Sequence, residues 1–178
     1  VSEKNGFRGS LNLDELRGSF TFGIGWYGVD RYYNQNELGI YNLTNAQRFN
    51  ASIRYRMLNE TKKIRTYTSY LFFNNSYRFH DFVKTNIGWR FGNNIETQNL
   101  TKFEADFYYN GSNKDFYEPR VEDRFLVEPA NYGVKLGFDT NFQNTFSYGM
   151  DYETTNFNNK QFNEKKYETT LRLRTRYR

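Results

Sequence analysis

The chain has no cysteine, two prolines and one histidine among its 178 residues. Without cysteine there is no disulfide scaffold, no thiolate zinc site and no thiol catalysis. His80 alone excludes multi-histidine metal sites and leaves one imidazole for acid–base work. Aliphatic residues are scarce as well. Leu, Ile and Val total 24, and adding Phe gives 42, which argues against an ordinary helical or doubly wound α/β core. Long apolar runs are missing. The most apolar stretch is Tyr70-Leu71-Phe72-Phe73, far short of the roughly 18 residues of a membrane helix. Nor does one sign of charge dominate: 25 basic and 20 acidic residues leave +5. The basic residues are spread along the chain, whereas nucleic-acid binders gather them in a patch, so no nucleic-acid partner is expected. The chain opens on Val1 with no signal peptide, which reads as a processed or partial chain.

What is abundant is aromatic: 16 Tyr, 18 Phe and 2 Trp, beside 23 Asn. Disordered segments are depleted in such residues, yet the mean hydropathy is −0.93. Any reading must reconcile the two.

Alternation does so. Residues change character with period two, the signature of strands with unlike faces. Val83, Thr85, Ile87, Trp89 and Phe91 alternate with Lys84, Asn86, Gly88 and Arg90. Phe103, Ala105, Phe107 and Tyr109 alternate with Lys102, Glu104, Asp106 and Tyr108. The same pattern recurs from Phe20 to Tyr27, Phe49 to Met57, Tyr132 to Thr140, Phe146 to Glu153 and Tyr167 to Tyr177. Weaker strands are expected from Phe7 to Leu13 and from Ile64 to Asn75. This gives about nine strands, mostly roughly 9–13 residues long, and no helix. Soluble strands average about 5–6 residues, whereas a tilted strand crossing a bilayer needs roughly 9–11. Short linkers (59–62, 141–144) and long ones (29–48, 111–130) match a barrel with short turns on one side and longer loops on the other.

The expected fold is therefore all-β, an antiparallel transmembrane β-barrel, with a soluble β-sandwich or solenoid as the rival. Lys84, Arg90, Lys102, Glu104, Asp106, Lys135, Asp139, Asp151, Glu153, Arg172, Arg174 and Arg176 are candidate lumen charges. Phe20, Phe22, Trp26, Tyr55, Trp89, Phe91, Phe103, Phe107, Tyr109, Phe138, Phe146, Tyr148, Tyr152, Tyr167 and Tyr177 are candidate lipid-facing or girdle aromatics.

Three stretches carry a family likeness. They are Asn36-Glu37-Leu38-Gly39-Ile40 before the strand ending Ile53-Arg54-Tyr55-Arg56, then Phe116-Tyr117-Glu118-Pro119-Arg120 with Pro129-Ala130-Asn131-Tyr132-Gly133, then Leu171 to Arg178. Together they resemble the C-terminal β-barrel region of a Bacteroidota outer-membrane family whose members carry an N-terminal domain similar to family-9 carbohydrate-binding modules. The likeness spans most of residues 15–178. It implies a bacterial outer-membrane location and a carbohydrate-related surface complex. The N-terminal domain is absent from these residues, and the chain stops inside a strand at Arg178. Residues 1–178 are accordingly read as an incomplete segment of a larger barrel.

Candidate sites each have a plain structural rival. Arg172, Arg174 and Arg176 form either an anion-steering stripe or, as favoured here, ion pairs with Glu104, Asp106, Asp139, Asp151 and Glu153, since sequestered charges need partners. Asp139, Asp151 and Glu153 are the only carboxylates offered for glycoside hydrolysis, and a lumen lining is preferred. Tyr27, Tyr32, Tyr33, Tyr41, Tyr108, Tyr109 and Tyr117 are a pool for sugar stacking or rim packing. His80 reads as a loop residue. Gly23, Gly25 and Gly88 read as close packing or curvature. The function expected is a non-catalytic outer-membrane barrel, a membrane anchor or a solute or glycan pathway. The alternative is a glycan-binding or partner subunit of a surface complex, with glycoside processing through a missing N-terminal domain a third. Partners are outer-membrane lipid, a glycan and other surface or outer-membrane proteins; no cofactor is expected.

Overall fold

The computed structural model describes residues 5–33, 44–116, 119, 121, 124–159 and 163–178. Its strands are β1 (Arg8–Glu15), β2 (Phe20–Val29), β3 (Ala46–Arg56), β4 (Ile64–Arg78), β5 (Lys84–Thr97), β6 (Lys102–Asn110), β7 (Asn113–Asp115), β8 (Leu126–Glu128), β9 (Ala130–Asp139), β10 (Phe146–Asn159) and β11 (Glu164–Tyr177). No helix occurs among the described residues. Nine strands make one sheet in the order β1-β2-β3-β4-β5-β6-β9-β10-β11. Every pair in it is antiparallel. β1 and β11 each keep a free edge, so the sheet is not closed into a barrel.

The connections alternate between the two ends of the sheet. Residues 16–19, 57–63, 98–101 and 140–145 turn the chain at one end, and 30–45, 79–83, 111–129 and 160–163 at the other. Both long connections therefore share an end. Gly18 supplies a left-handed φ of 82 in the first short turn, a conformation glycine adopts without a Cβ penalty.

Two expectations shift in detail. The 111–130 stretch, read as open loop, contains the β7–β8 hairpin. Phe116 and Phe125 hold it together with ring centroids 5.0 Å apart, and Lys114 lies 5.0 Å above the Phe125 ring. The irregular strands also run further than their alternation shows, β1 to Glu15 and β4 to Arg78, because ladder hydrogen bonds need backbone and not a side-chain pattern.

There is almost no core. Val29, 2% exposed, is the one buried hydrophobic side chain among the described residues. The chain exposes 13257 Å2, whereas a folded 21.5 kDa monomer exposes about 9,200 Å2. A sheet with no second layer packed on it contributes to that excess of roughly 4,000 Å2.

The ladder is staggered. The row Phe20, Tyr55, Ser69, Asn93, Ala105, Leu136, Tyr152, Leu171 starts at the turn-proximal residue of β2 and ends in the middle of β10 and β11. A barrel requires such stagger, since strands must tilt for a sheet to close.

Candidate functional site: the charged wall

Cross-strand partners lie on the same face, so the register assigns every strand residue to a side. One face carries Phe20, Phe22, Trp26, Tyr55, Trp89, Phe91, Phe103, Phe107, Tyr109, Phe138, Phe146, Tyr148, Tyr152, Tyr167 and Tyr177. The other carries Arg90, Lys102, Glu104, Asp106, Lys135, Asp139, Asp151, Glu153, Arg172, Arg174 and Arg176. Lys84 lies past a register irregularity and has Tyr77 as its ladder partner, so the register does not place it on the charged face. Of the loop residues, Asn36, Glu37, Leu38, Gly39, Glu118 and Arg120 lie outside the described residues, as do Tyr41 and Tyr117, while Pro119 is half-buried.

The apolar face is ordered along its height. Tyr55, Tyr67, Tyr148 and Tyr177 sit toward the short turns, and Trp26, Tyr77, Tyr109, Tyr132 and Tyr167 toward the long connections. Ile24, Ile53, Leu71, Phe91, Phe107 and Leu136 fill the middle. Among the sheet's described strand residues that the regular register places on this face, the charged members are Glu15 and Lys165, each within two residues of a strand end, while Arg65, at a register irregularity, pairs with Glu96 at 3.1 Å. Polar groups on this face largely satisfy one another. The Tyr67 hydroxyl donates to Asn93 Oδ1 at 2.9 Å, Asn75 Nδ2 to the Tyr77 hydroxyl at 2.6 Å, and Trp26 Nε1 to Gln47 Oε1 at 3.3 Å.

The charged face is a network. Asp106, only 7% exposed, accepts from Arg90 Nη2 at 2.6 Å and from the Tyr70 hydroxyl at 2.5 Å. Gly92 stands between them in the ladder, and a Cβ there would collide with both the Asp106 carboxylate and the Tyr70 ring. Three strands away, on β11, Arg174 bridges Asp139 at 2.8 Å and Asp151 at 2.5 Å. The expected pairing of the β11 arginines thus holds for Arg174. Arg172 and Arg176 make no ion pair among the described residues. Asp139 and Asp151 share one guanidinium, which ties both into a structural clamp.

Glycine and asparagine set the wall's texture. Asn12, Gly25, Asn50, Asn74, Gly88, Asn110 and Asn131 form one row across seven strands. A Cβ on Gly88 would stand 2.6 Å from Asn74 Oδ1 and 3.0 Å from Asn110 Oδ1, so the glycine leaves room for carboxamides to lie across the sheet. Asn110 donates to Asn131 Oδ1 at 2.8 Å, while Asn50 Oδ1 is buried without a donor. Tyr108 lies on the glycine of the next strand: a Cβ on Gly133 would stand 2.6 Å from its ring. Beside these residues is an open depression of about 530 Å3 lined by Phe72, Asn74, Arg90, Tyr108, Lys135 and Glu153, among others.

His80 sits exposed in the 79–83 turn, its backbone N–H donating to Asn45 Oδ1 at 3.0 Å. Among the described residues no group of three His, Asp or Glu is placed to hold a metal. Sequence reading missed Tyr70, Gly92, Gly133 and the asparagine row. Its one available signal was small or carboxamide residues recurring on the charged side of each strand.

The whole chain, residues 1–178, matches a family described as a domain of unknown function, DUF5916. The chain belongs to that family. No curated protein and no solved structure matches it.

Proposed function

We propose that the sheet is a wall section of a transmembrane β-barrel in a bacterial outer membrane, with no catalytic role in this segment. The carrying observation is the continuous apolar face. Phe22 is 51% exposed, Ile24 54%, Ile53 56%, Leu71 46% and Leu173 69%, and together they form one uncharged surface across the sheet. Monomers in water rarely expose contiguous apolar patches beyond a few hundred Å2. In hydrocarbon the same surface needs no second layer, and hydroxyl-bearing aromatics at both margins suit the two headgroup regions. The charged face then lines a wet interior, and the barrel serves as membrane anchor or solute pathway.

Nine alternating strands leave β1 and β11 running parallel, so direct edge-to-edge closure would need a parallel pair. An odd number of further strands restores an all-antiparallel, even-stranded wall. The resemblance to Bacteroidota outer-membrane barrels favours the same location, and glycans or other surface proteins as partners.

Fractionation tests the reading. The full-length protein is expected in outer-membrane pellets, resisting alkaline carbonate and requiring detergent for release. Extraction by carbonate or salt alone would overturn it.

A further inference from the structure

We propose that the depression around Tyr108 binds a neutral, polyhydroxylated ligand, an oligosaccharide, along the charged face; this deepens the barrel reading and rests on it. Three features converge. First, Tyr108 is a fixed platform. The hydroxyl end of its ring lies over Gly133, its hydroxyl is tied to Thr155 Oγ1 at 2.5 Å, and it lines the depression. A ring pinned at its hydroxyl end can offer its apolar surface to C–H groups, the amphipathic use of tyrosine. Second, the Asn74 and Asn110 carboxamides border the same space. Each amide offers donors and an acceptor together, which matches hydroxyls that donate and accept.

Third, the charges lining the depression cancel. Arg90 and Asp106 are engaged with each other, and Lys135 stands opposite Glu153 in the ladder. Lys135 and Glu153 make no ion pair with each other or with any described residue, so both heads are available to hydroxyls. A balanced set gives no advantage to phosphates, nucleotides or other anions. An extended peptide is disfavoured too, because β5, β6, β9 and β10 are paired on both sides and offer no edge for strand addition. Phe72 adds a second aromatic wall. A pyranose, with C–H faces and a rim of hydroxyls, fits all three features.

Calorimetric titration of the detergent-purified full-length protein with maltohexaose, xylohexaose and chitohexaose tests this. At least one should bind saturably. Tyr108→Ala should weaken that binding about tenfold or more, while Tyr108→Phe keeps it within about threefold. Tyr132→Ala, on the opposite face of β9, should leave it unchanged. Absence of binding by all three sugars would overturn the proposal, as would indifference to Tyr108→Ala or tighter binding of pentaglutamate or pentalysine. A protein that resists carbonate yet binds no sugar loses this inference alone. One that binds sugar but is released by carbonate loses the barrel reading alone.

Discussion

On one face of the sheet side chains reach for each other; on the other they mostly reach outward. Asp106 is 7% exposed in the middle of the charged face, whereas Leu13, Phe20 and Leu173 on the apolar face are all above 60%. Water-soluble proteins arrange these the other way, with apolar groups sequestered and charges solvated. The inversion shows which side of a single layer must supply its own partners. The charges are held by ion pairs and hydroxyls of their own face, as at Asp106, and the apolar groups are left uncovered. On the proposed reading the sheet is a boundary between two solvents, and its two faces should respond oppositely to the same substitution.

The largest asymmetry is expected from a new charge. Phe107→Arg, mid-height on the apolar face, should destabilise the protein in bilayers by about 2–4 kcal/mol. Asn94→Arg, at a similar height on the charged face, should cost less than about 1 kcal/mol. Urea unfolding in lipid vesicles measures both. Equal costs would remove the claim that the faces meet different media.

Within the charged face, the Asp106 clamp should matter next. Asp106→Ala strands the Tyr70 hydroxyl and Arg90 together. Because half of the Arg90 side chain is exposed (50%), water recovers part of the loss, and about 1–3 kcal/mol is expected. Gly92→Ala tests the same clamp from the backbone side. Its Cβ would collide with Asp106 and Tyr70, for a loss of about 1–3 kcal/mol. The pair should be non-additive, since removing Asp106 clears one of the two collisions and releases the Tyr70 hydroxyl that makes the other. Additive losses would show that Gly92 acts elsewhere.

Much of the sheet is legible in the sequence. Alternation names a side for each strand residue, because period two is a local property, and Phe103 to Tyr109 shows it without ambiguity. The register across strands is not local. Nothing in the sequence alone says that Asp139 and Asp151 converge on Arg174, or that Tyr70 meets Asp106 from two strands away. The same limit hid the Tyr108 platform. Tyr108 and Tyr109 are neighbours in one aromatic run, and only the ladder shows that the first rests on Gly133 while the second faces outward beside Trp89. β7 and β8 escaped for another reason: strands of three residues are too short to establish a period.

The smallest effect should come from the other clamp. Arg174 holds Asp139 and Asp151 from β11, the free edge, where its side chain is 40% exposed. Solvent screens such pairs and the long side chain gives up entropy to hold them. Arg174→Ala should therefore shift the unfolding midpoint less than Asp106→Ala, and raised salt should narrow the difference between wild type and Arg174→Ala. If a further strand pairs with β11 in the assembled wall, that ranking changes, because the arginine would lose its exposure. An Arg174→Ala loss matching that of Asp106→Ala, and insensitive to salt, would thus be direct thermodynamic evidence that the β11 edge is covered.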